Sequence, residues 1–430
     1  MHFETTEIRQ NSYIKLLYDF ANGMDVTLFL VGGSVRDLLL NRSTHDFDFT
    51  LASDAIMFAK EFSKSINAPF IQLEENPATA RVIANYSKVG NEHFTMDFAQ
   101  YRAASLVEDL QLRDLTINAM AIPLKSLISL DRPELIDPCD GINDLTNKLL
   151  KYPSEEVLLQ DPLRLLRIFR FAAQLDFQIS PESISYIKKN YDRLSDVSVE
   201  RIRDEFLKIL NSNNSIEYIQ EMLNVGLLMQ VFPEIKELDN LKQALIKFED
   251  TIIPDELIHY KHDIDIYLSE ELGAGASRYS LIKLCLLLSD NIENVKLLRL
   301  SGKAIKFSDT VLSGYRLIQE SNFTEKEIVN LLRITHNEFW GMLVFSAAMN
   351  PGLTQQFEKI VDIYYNHFLP IINQGQLITG RDIISKFQLK EGKQLGDILK
   401  LIEDKQFLGE IKTQAEAFDV VETLIEAWQE

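Results

Sequence analysis

The chain has 430 residues, of which 46% are hydrophobic and 25% charged, so it is long enough to fold as several domains with apolar cores. Its two cysteines, Cys139 and Cys285, are too few for a disulfide framework, so no disulfide-linked partner is expected. The formal charge of −20 argues against a nucleic-acid partner, because phosphates are bound by lysine and arginine. Only a local basic stripe would reverse that conclusion.

The N-terminal segment predicts a helix and no targeting signal. Apolar residues recur at helical spacing through residues 1–27, and Gly23 marks the end of the pattern. MHFETTEIRQ contains no apolar signal region, and no window approaches the ~20 apolar residues of a membrane span. These features predict a cytoplasmic protein with no membrane partner.

The strongest functional signal is the stretch LFLVGGSVRDLLLNRSTHDFDF. It predicts a buried strand, a Gly32-Gly33 turn, a short helix carrying Arg36, and a second strand with Asp46 and Asp48. Because side chains two residues apart in a strand share a face, the two carboxylates lie side by side. Such a pair suits Mg²⁺ carrying substrate phosphates, and the glycines let backbone N–H groups approach an anion. The stretch therefore predicts a nucleoside-triphosphate site.

The residues that follow predict the rest of a small mixed α/β domain. A helix is expected from Ala52 to Ile66, capped near Ser53 or Asp54. Strands are expected at Phe70–Leu73, Thr79–Tyr86 and His93–Phe98.

Asp97 lies on the last of these strands, with apolar neighbours on the opposite face. It joins Asp46 and Asp48 if the two strands are neighbours. A third carboxylate near a metal pair could accept the proton of an attacking hydroxyl group. The alternative is an edge-strand aspartate that faces water.

The order of these motifs identifies a family. GGSVRD followed by DFD resembles the head-domain signature of the class II nucleotidyltransferases, which comprise tRNA CCA-, CC- and A-adding enzymes and bacterial poly(A) polymerases. The resemblance implies a transferase in which Asp46 and Asp48 hold two Mg²⁺ ions. It also implies that the tRNA 3′ end is the primer and that Gly33 and Arg36 help to stabilise the triphosphate.

A second motif of the family follows a short connection. LRDLTINAMAI resembles the family's RRDFTINAMA element, with Leu112 in place of the first arginine. By this resemblance Arg113 reaches the triphosphate and Asp114 holds sugar or loop groups, with Asn118 one helical turn further on the same face. Asp114 as the N-cap of a helix is a compatible interpretation. The connection itself, residues 98–112, is shorter than in CCA- and A-adding relatives, which is typical of CC-adding members.

The block QDPLRLLRIFRFAAQL contains the basic stripe. Arg164, Arg167 and Arg170 recur every three residues and Asp161 precedes them by three, so all four can share one helical face. An unpaired row of three arginines in an acidic protein points to an anionic ligand, although a solvated basic face is the default interpretation. The block resembles the family's EDxxR motif, which implies that Asp161 and Arg164 read the base; Gln160 replaces the glutamate.

The remaining sequence is predicted to be helical. The expected fold is α+β: a nucleotidyltransferase head (1–130), a linker (131–152), then an all-α neck (153–220), body (221–350) and tail (351–430). In the neck, SVERIRDEFLKIL resembles the helix that braces the base-reading helix, with Glu200 and Arg203 forming ion pairs. The tail resembles the family's tRNA-binding region, and solvated lysines are the alternative interpretation there.

The predicted function is addition of C residues to the tRNA 3′ end from CTP, with release of pyrophosphate. Full CCA addition or A addition, with ATP as a further substrate, remains an alternative. A poly(A) polymerase is less favoured, because the GRRFRLAHV-like strand of that branch is replaced by TARVIANY. A catalytically silent tRNA-binding module is the alternative from another class, and such a module has no need of paired metal-binding carboxylates.

Overall fold

The computed structural model describes residues 6–85, 93–130, 132–288 and 293–429. The chain divides into two compact units, Met1–Lys236 and Glu237–Glu430. Among the described residues, every strand lies in the first unit and the second unit is helical, which confirms the predicted α+β class. The finer division into head, linker, neck, body and tail stays a prediction. No helix within the described ranges has both the length and the apolar character that crossing a membrane requires.

Six strands of the first unit form one mixed sheet in the order β3-β4-β5-β2-β1-β6. The β2–β5 pair is parallel and the other pairs are antiparallel. A separate parallel pair is formed by β7 and β8. The strands are β1 (Phe29–Val31), β2 (Asp46–Leu51), β3 (Phe70–Glu75), β4 (Ala78–Asn85), β5 (His93–Gln100), β6 (Ala121–Pro123), β7 (Leu149–Leu150) and β8 (Gln178–Ile179). The five strands predicted from sequence are confirmed, except that Tyr86 lies outside the described residues.

Period-two alternation explains which face of the sheet is buried. Phe47 and Phe49 of β2 are buried on one face, whereas Asp46 and Asp48 point to the other. On the buried face, Phe98 of β5 packs against Phe49 with ring centroids 5.6 Å apart. Burying each phenylalanine contributes roughly 2–3 kcal/mol, so a one-residue slip of the strand would be costly. The acidic face is therefore fixed toward the open side of the sheet.

Helices of the first unit cover the buried face and extend the chain beyond the sheet. They are α1 (Thr6–Gln10), α2 (Ser12–Gly23), α3 (Gly33–Leu39), α4 (Ala55–Ser65), α5 (Leu106–Gln111), α6 (Leu124–Ser129), α7 (Gly141–Thr146), α8 (Glu156–Gln160), α9 (Arg164–Leu175), α10 (Pro181–Asn190), α11 (Val199–Leu210), α12 (Ser215–Asn224) and α13 (Leu228–Val231). Single-turn or short 3₁₀ segments occur at Thr116–Asn118 and Tyr191–Asp196. The predicted cap of α4 is confirmed, because the Asp54 side chain accepts the N–H groups of Ile56 and Met57.

The single helix predicted over residues 1–27 is wrong. Residues 1–5 lie outside the described part of the chain, and the rest forms α1 and α2. Asn11 interrupts the helix because its side-chain oxygen accepts the N–H groups of Tyr13, at 2.9 Å, and Ile14, at 3.3 Å. This is the geometry of an N-cap, which starts a new helix. Gly23 ends α2, as predicted.

Two further helix predictions need correction in detail. Asp114 caps no helix: the chain after it makes only the 3₁₀ turn Thr116–Asn118 and then enters β6. The helix expected from residue 160 begins at Arg164, so Asp161 precedes it in extended backbone. An aspartate outside the helix does not share the face of the arginines in it.

The second unit is built from helices with 3₁₀ connections and one π-helical turn, Tyr364–Phe368. Its α-helices are α14 (Asp239–Asp250), α15 (Lys261–Ser269), α16 (Arg278–Leu287), α17 (Glu293–Leu297), α18 (Gly302–Glu320), α19 (Glu325–Thr335), α20 (Phe339–Met349), α21 (Phe357–Ile363), α22 (Leu369–Gln374), α23 (Gly380–Phe387), α24 (Lys393–Phe407) and α25 (Gln414–Gln429). Helix α20 is central, since its residues 339–348 are all buried. The last three helices share an apolar cluster of their own.

Gly141 offers a test of how α7 packs against the Thr116–Asn118 turn. A Cβ atom at Gly141 would lie 2.3 Å from the carbonyl oxygen of Thr116, which is backbone and cannot yield easily. We expect Gly141→Ala to lower the free energy of unfolding by about 2 kcal/mol or more, measured by urea denaturation. Gly23→Ala is the matched control, because nothing lies within 4 Å of a Cβ there. Equal stability of the two variants would contradict this packing.

Candidate active site

A cleft of about 570 Å³ lies over the acidic face of the sheet, within the first unit. It is lined by the glycine turn, the carboxylate strands, the Thr116–Asn118 turn and α9. The sequence-predicted residues that line it are Gly32, Gly33, Arg36, Asp48, Asp97, Arg113, Asp114, Asn118, Arg167 and Arg170. Asp46, Asp161 and Arg164 do not line it. Ten of the thirteen predicted residues are thus brought together by the fold.

The parallel pairing of β2 and β5 creates a row of carboxylates. Asp48 lies directly opposite Asp97, and Asp46 lies opposite Thr95. Asp46, two residues before Asp48 in the same strand, shares its face and is exposed at the start of β2. The expectation that Asp97 joins the pair from a neighbouring strand is confirmed as geometry; its catalytic role stays a prediction.

In this row, Asp48 is the carboxylate whose pKa is raised. Burial, followed by the charges of Asp97 and Asp46, raises the pKa of its carboxyl group to about 6, although Arg113 and Arg36 act in the opposite direction. Carboxylates that disfavour one another's ionisation in this way are stabilised by a cation placed between them. A cation bound beside these two strands would therefore stabilise the ionised carboxylates.

A divalent cation fits Asp46 and Asp48. Both are hard oxygen donors on one face of one strand, which suits magnesium. Over the described ranges, no group of three or more histidine, cysteine, aspartate or glutamate side chains could hold a metal ion. A cation here would therefore rely on two carboxylates and on substrate oxygens, which is the usual arrangement for magnesium in phosphoryl transfer.

Asp97 is already engaged by a guanidinium group. Arg81 on β4 lies opposite Asp97 in the antiparallel register. Its Nε and Nη2 atoms donate to the two carboxylate oxygens, at 2.7 and 2.8 Å. This fork geometry is the strongest form of an arginine–carboxylate pair. Arg81 was not predicted, although the alternation of β4 places it on the acidic face.

The glycine turn approaches the cleft because it lacks side chains. Gly32 has φ of +67°, and a Cβ there would lie 3.1 Å from Nη1 of Arg113 and 3.6 Å from a carboxylate oxygen of Asp48. Ser34 ties this turn to β2, since its hydroxyl oxygen accepts the N–H of Asp48 at 2.8 Å. The backbone of the turn is thereby held beside the carboxylates.

Asp114 is the centre of a buried hydrogen-bond network. Its Oδ2 accepts two N–H groups of Arg167, one of them at 2.9 Å, and its Oδ1 accepts the Asn118 amide at 3.1 Å. Asn118 in turn accepts Nη1 of Arg36 at 2.8 Å. Burial favours a higher pKa for Asp114, but the charge and hydrogen bonds of Arg167 outweigh it and hold the pKa well below its usual range. The network joins α3, the 3₁₀ turn and α9.

The three arginines of α9 are not the unpaired row that the sequence suggested. Arg167 binds Asp114, Arg170 forms an ion pair with Glu205 of α11 at 3.2 Å, and Arg164 donates to the carbonyl oxygen of Val157 at 3.1 Å. An unpaired arginine would be costly to bury, so each partner lowers that cost. Arg167 and Arg170 face the cleft, whereas Arg164 is 7% exposed and points away from it.

Asp161 also lies outside the cleft. Its Oδ2 accepts Nη2 of Arg201 at 2.9 Å, and its Oδ1 accepts the N–H of Leu163. Asp161 and Arg164 are therefore not brought together as a base-reading pair in this state. In α11, Arg203 pairs with Asp204, while Arg201 and Glu205 pair with Asp161 and Arg170.

The short connection between β5 and the second motif folds back on the cleft. Its helix α5 begins after Ser105, whose hydroxyl oxygen accepts the N–H of Glu108. Buried Asp109 accepts the backbone N–H of Arg102 at 2.9 Å and Nη2 of Arg113 at 3.3 Å. Asp109 was missed, although it precedes Arg113 by one helical turn. This carboxylate orients the guanidinium group toward the glycine turn.

Phe171 is a further cleft residue that the sequence did not single out. Its ring centroid lies 4.1 Å from the guanidinium carbon of Arg170, 5.1 Å from that of Arg36 and 5.6 Å from that of Arg167. An aromatic face attracts cations, so the ring helps to gather three positive charges on one wall of the cleft. The apolar residue type gave no signal of this role.

The raised pKa of Asp48 predicts a pH-dependent change in stability. Because the carboxyl pKa is higher in the folded state than its ordinary value of 3.8, stability contributed by Asp48 falls as the pH rises from about 4 to about 6. Asp48→Asn removes the charge, so we expect it to stabilise metal-free protein at pH 8 by about 1–3 kcal/mol, and much less at pH 4, in urea titrations with EDTA. Asp19→Asn, at an exposed site on α2, is the control. An equal gain at both pH values would contradict the assignment.

A double-mutant cycle tests the Asp114–Arg167 pair. We expect Asp114→Asn and Arg167→Met each to cost about 3 kcal/mol of unfolding free energy, because each leaves a buried partner unmet, and the double variant to cost clearly less than the sum. The exposed Glu61–Lys64 pair is the control, with a coupling below about 0.5 kcal/mol. Additive losses at Asp114 and Arg167 would exclude a direct interaction.

Comparisons with known protein families match three segments of the chain. Residues 28–151 match the family model "Poly A polymerase head domain". Residues 176–238 match "Probable RNA and SrmB-binding site of polymerase A", and residues 277–421 match a tRNA nucleotidyltransferase domain 2. The three matches follow one another along both units of the chain.

Curated relatives are similar over most of their length. A CC-adding tRNA nucleotidyltransferase of Synechocystis sp. is 27% identical, covering 92% of this chain and 93% of the relative. One of Geobacter sulfurreducens is 28% identical over 90% of both chains. A CCA-adding enzyme of Lactobacillus helveticus is 27% identical over 91% of both.

Solved structures show the same fold. A CCA-adding enzyme with CTP has a TM-score of 0.71 and 22% identity, over 99% of this chain and 100% of that one. A Thermotoga maritima CCA-adding enzyme complexed with tRNA has a TM-score of 0.65 and 22% identity, over 96% and 94%. With the head, RNA-binding and nucleotidyltransferase models matched in order, the chain belongs to the family of tRNA nucleotidyltransferases and poly(A) polymerases.

Proposed function

We propose that this protein is a template-independent tRNA nucleotidyltransferase that adds C residues to the tRNA 3′ end from CTP and releases pyrophosphate. The observation that carries CC addition is the short connection after β5, in which α5 and Asp109 leave little chain to form a long loop. The names of the Synechocystis and Geobacter relatives support the same product. The fold also implies a divalent metal, and we take magnesium, in two ions, as the working assignment.

The residues of the cleft suit the transfer of a nucleotide from a triphosphate. Asp46 and Asp48 would hold the divalent ions, which when bound neutralise phosphate charge and make the primer hydroxyl easier to deprotonate. The backbone at Gly33 approaches the phosphates without a side chain in the way. Arg36 and Arg113, oriented by Asn118 and Asp109, would bind the triphosphate oxygens. Preorganised charges of this kind lose little freedom when the substrate arrives.

Choice of the base is assigned to Asp161 and Arg164 by resemblance. In the state described, Asp161 is bound by Arg201 and Arg164 by the Val157 carbonyl. The proposal therefore requires that substrate binding exchange these contacts for the edge of the cytosine base. Asp114, Asn118, Arg167 and Arg170 would support the ribose, the phosphates or the primer backbone from the cleft wall.

The most informative experiment measures incorporation of labelled CTP and ATP, separately, on tRNA transcripts that end before the CCA sequence or after its two C residues. Two C residues added to the first transcript, with no A added to the second, would support CC addition. Addition of A would favour full CCA addition, the activity named for the Lactobacillus helveticus relative. Incorporation on unstructured RNA would favour a poly(A) polymerase instead.

A carboxylate variant separates an enzyme from a silent binding module. We expect Asp46→Ala to lower CTP incorporation about a thousandfold or more, because the loss of a metal ligand removes several kcal/mol of transition-state stabilisation, while the fold is retained by circular dichroism. Asp19→Ala, which removes one exposed carboxylate from α2, is the matched control. Unchanged turnover in Asp46→Ala would refute the assignment of the metal site.

A further inference from the structure

The row of charges on the acidic face extends across three strands. Arg81 on β4 is paired in register with Asp97 on β5, and Asp97 is paired with Asp48 on β2. All three side chains share the face that forms the cleft, because residues directly opposite in neighbouring strands point to the same side. The row therefore consists of two carboxylates, Asp48 and Asp97, with the guanidinium group of Arg81 at its end.

Both oxygens of Asp97 are occupied by this cation. Nε and Nη2 of Arg81 donate to them separately, at 2.7 and 2.8 Å. A carboxylate with both oxygens held by a fork of N–H groups has poor access to a metal ion. This agrees with the finding that, in the described part of the chain, no cluster of three such ligands could hold a metal.

The Arg81–Asp97 pair lies where it can separate without disturbing the core. The side chain of Arg81 is 41% exposed and that of Asp97 is 24% exposed, so each member of this pair is more exposed than the corresponding member of the Arg167–Asp114 pair, at 32% and 10%. The apolar packing of this region is on the opposite face, where Phe98 contacts Phe58 of α4. Because water reaches both side chains, exchanging the partner of Asp97 costs less than it would for a fully buried ion pair.

We infer that Arg81 is a positioning residue that occupies Asp97 in place of a metal ion, so that the resting protein offers a divalent cation only Asp46 and Asp48. A divalent ion held by Asp46 and Asp48 would then depend on the oxygens of a bound triphosphate for its remaining ligands. The inference rests on the proposed function only in the assignment of Asp46 and Asp48 as metal ligands. The rest of the inference is supported by the two hydrogen bonds from Arg81 to Asp97, by the register of their strands and by the exposure of Arg81.

Direct metal binding tests this without any transfer reaction. Mn²⁺ affinity of the substrate-free protein is measured by electron paramagnetic resonance and calorimetry. Arg81→Ala releases both oxygens of Asp97 and is expected to raise Mn²⁺ affinity about tenfold, because an added carboxylate strengthens a hard-cation site. Arg81→Lys, which cannot hold both oxygens, is expected to give a smaller rise.

Two further variants make the result specific. Arg81→Ala combined with Asp97→Asn must lose the gain, since the released carboxylate is then absent. Lys60→Ala removes the same charge from α4, which packs on the other face of the sheet, and must leave Mn²⁺ affinity near that of the wild type. A gain that survives Asp97→Asn, or that Lys60→Ala reproduces, would overturn the inference.

Failure of the inference is distinguishable from failure of the proposed function. If Arg81→Ala is folded by circular dichroism and binds Mn²⁺ no more tightly than the wild type, Arg81 does not occupy a metal position and the inference is wrong. Incorporation of CTP by the wild type is scored in a separate assay and does not depend on that result. The transfer assay gives a second measure of the same role. The role would be supported if the wild type needs a higher magnesium concentration than Arg81→Ala while the two proteins have a similar KM for CTP.

Discussion

Two carboxylates forced together by strand pairing set the constraint on which the first unit depends. The parallel register of β2 and β5 places Asp48 opposite Asp97, and the aromatic packing beneath prevents either strand from slipping. Like charges at this distance are unfavourable unless positive charge surrounds them. Arg81 lies on one side of the row, while Arg36 and Arg113 lie on the other and lower the pKa of Asp48. The positive charges around the cleft therefore offset the repulsion between its carboxylates.

Some of the acidic residues in this protein orient the arginines that line the cleft. Four of the five arginines that line the cleft are held by a carboxylate: Arg36 by Asp37, Arg113 by Asp109, Arg167 by Asp114 and Arg170 by Glu205. These carboxylates do more than neutralise the arginines that line the cleft. They fix the direction of the guanidinium groups, so that the ordering cost is met during folding and not during substrate binding. A net charge of −20 is therefore compatible with a cleft for anions.

The two parts of the site differ in how far they are preformed. The glycine turn, carboxylates and cleft arginines are held by direct contacts in the state described. Asp161 and Arg164 are held away from the cleft, by Arg201 and by a backbone carbonyl. Under the proposed function, a change in the base-reading contacts would have to involve the α8–α9 junction, where Asp161 lies in extended backbone.

Sequence by itself determined the features that depend on local pattern. Alternation placed Asp46 and Asp48 on one face, the glycine pair indicated a close backbone approach, and the order of motifs identified the family. Tertiary structure alone decided which charges meet, because ion pairs such as Arg81–Asp97 and Arg170–Glu205 join residues far apart in the chain. Periodicity can assign an arginine to a face of a strand or helix, but it carries no information about the element opposite. For that reason the row on α9 looked unpaired in the sequence, whereas each of its arginines has a partner in the fold.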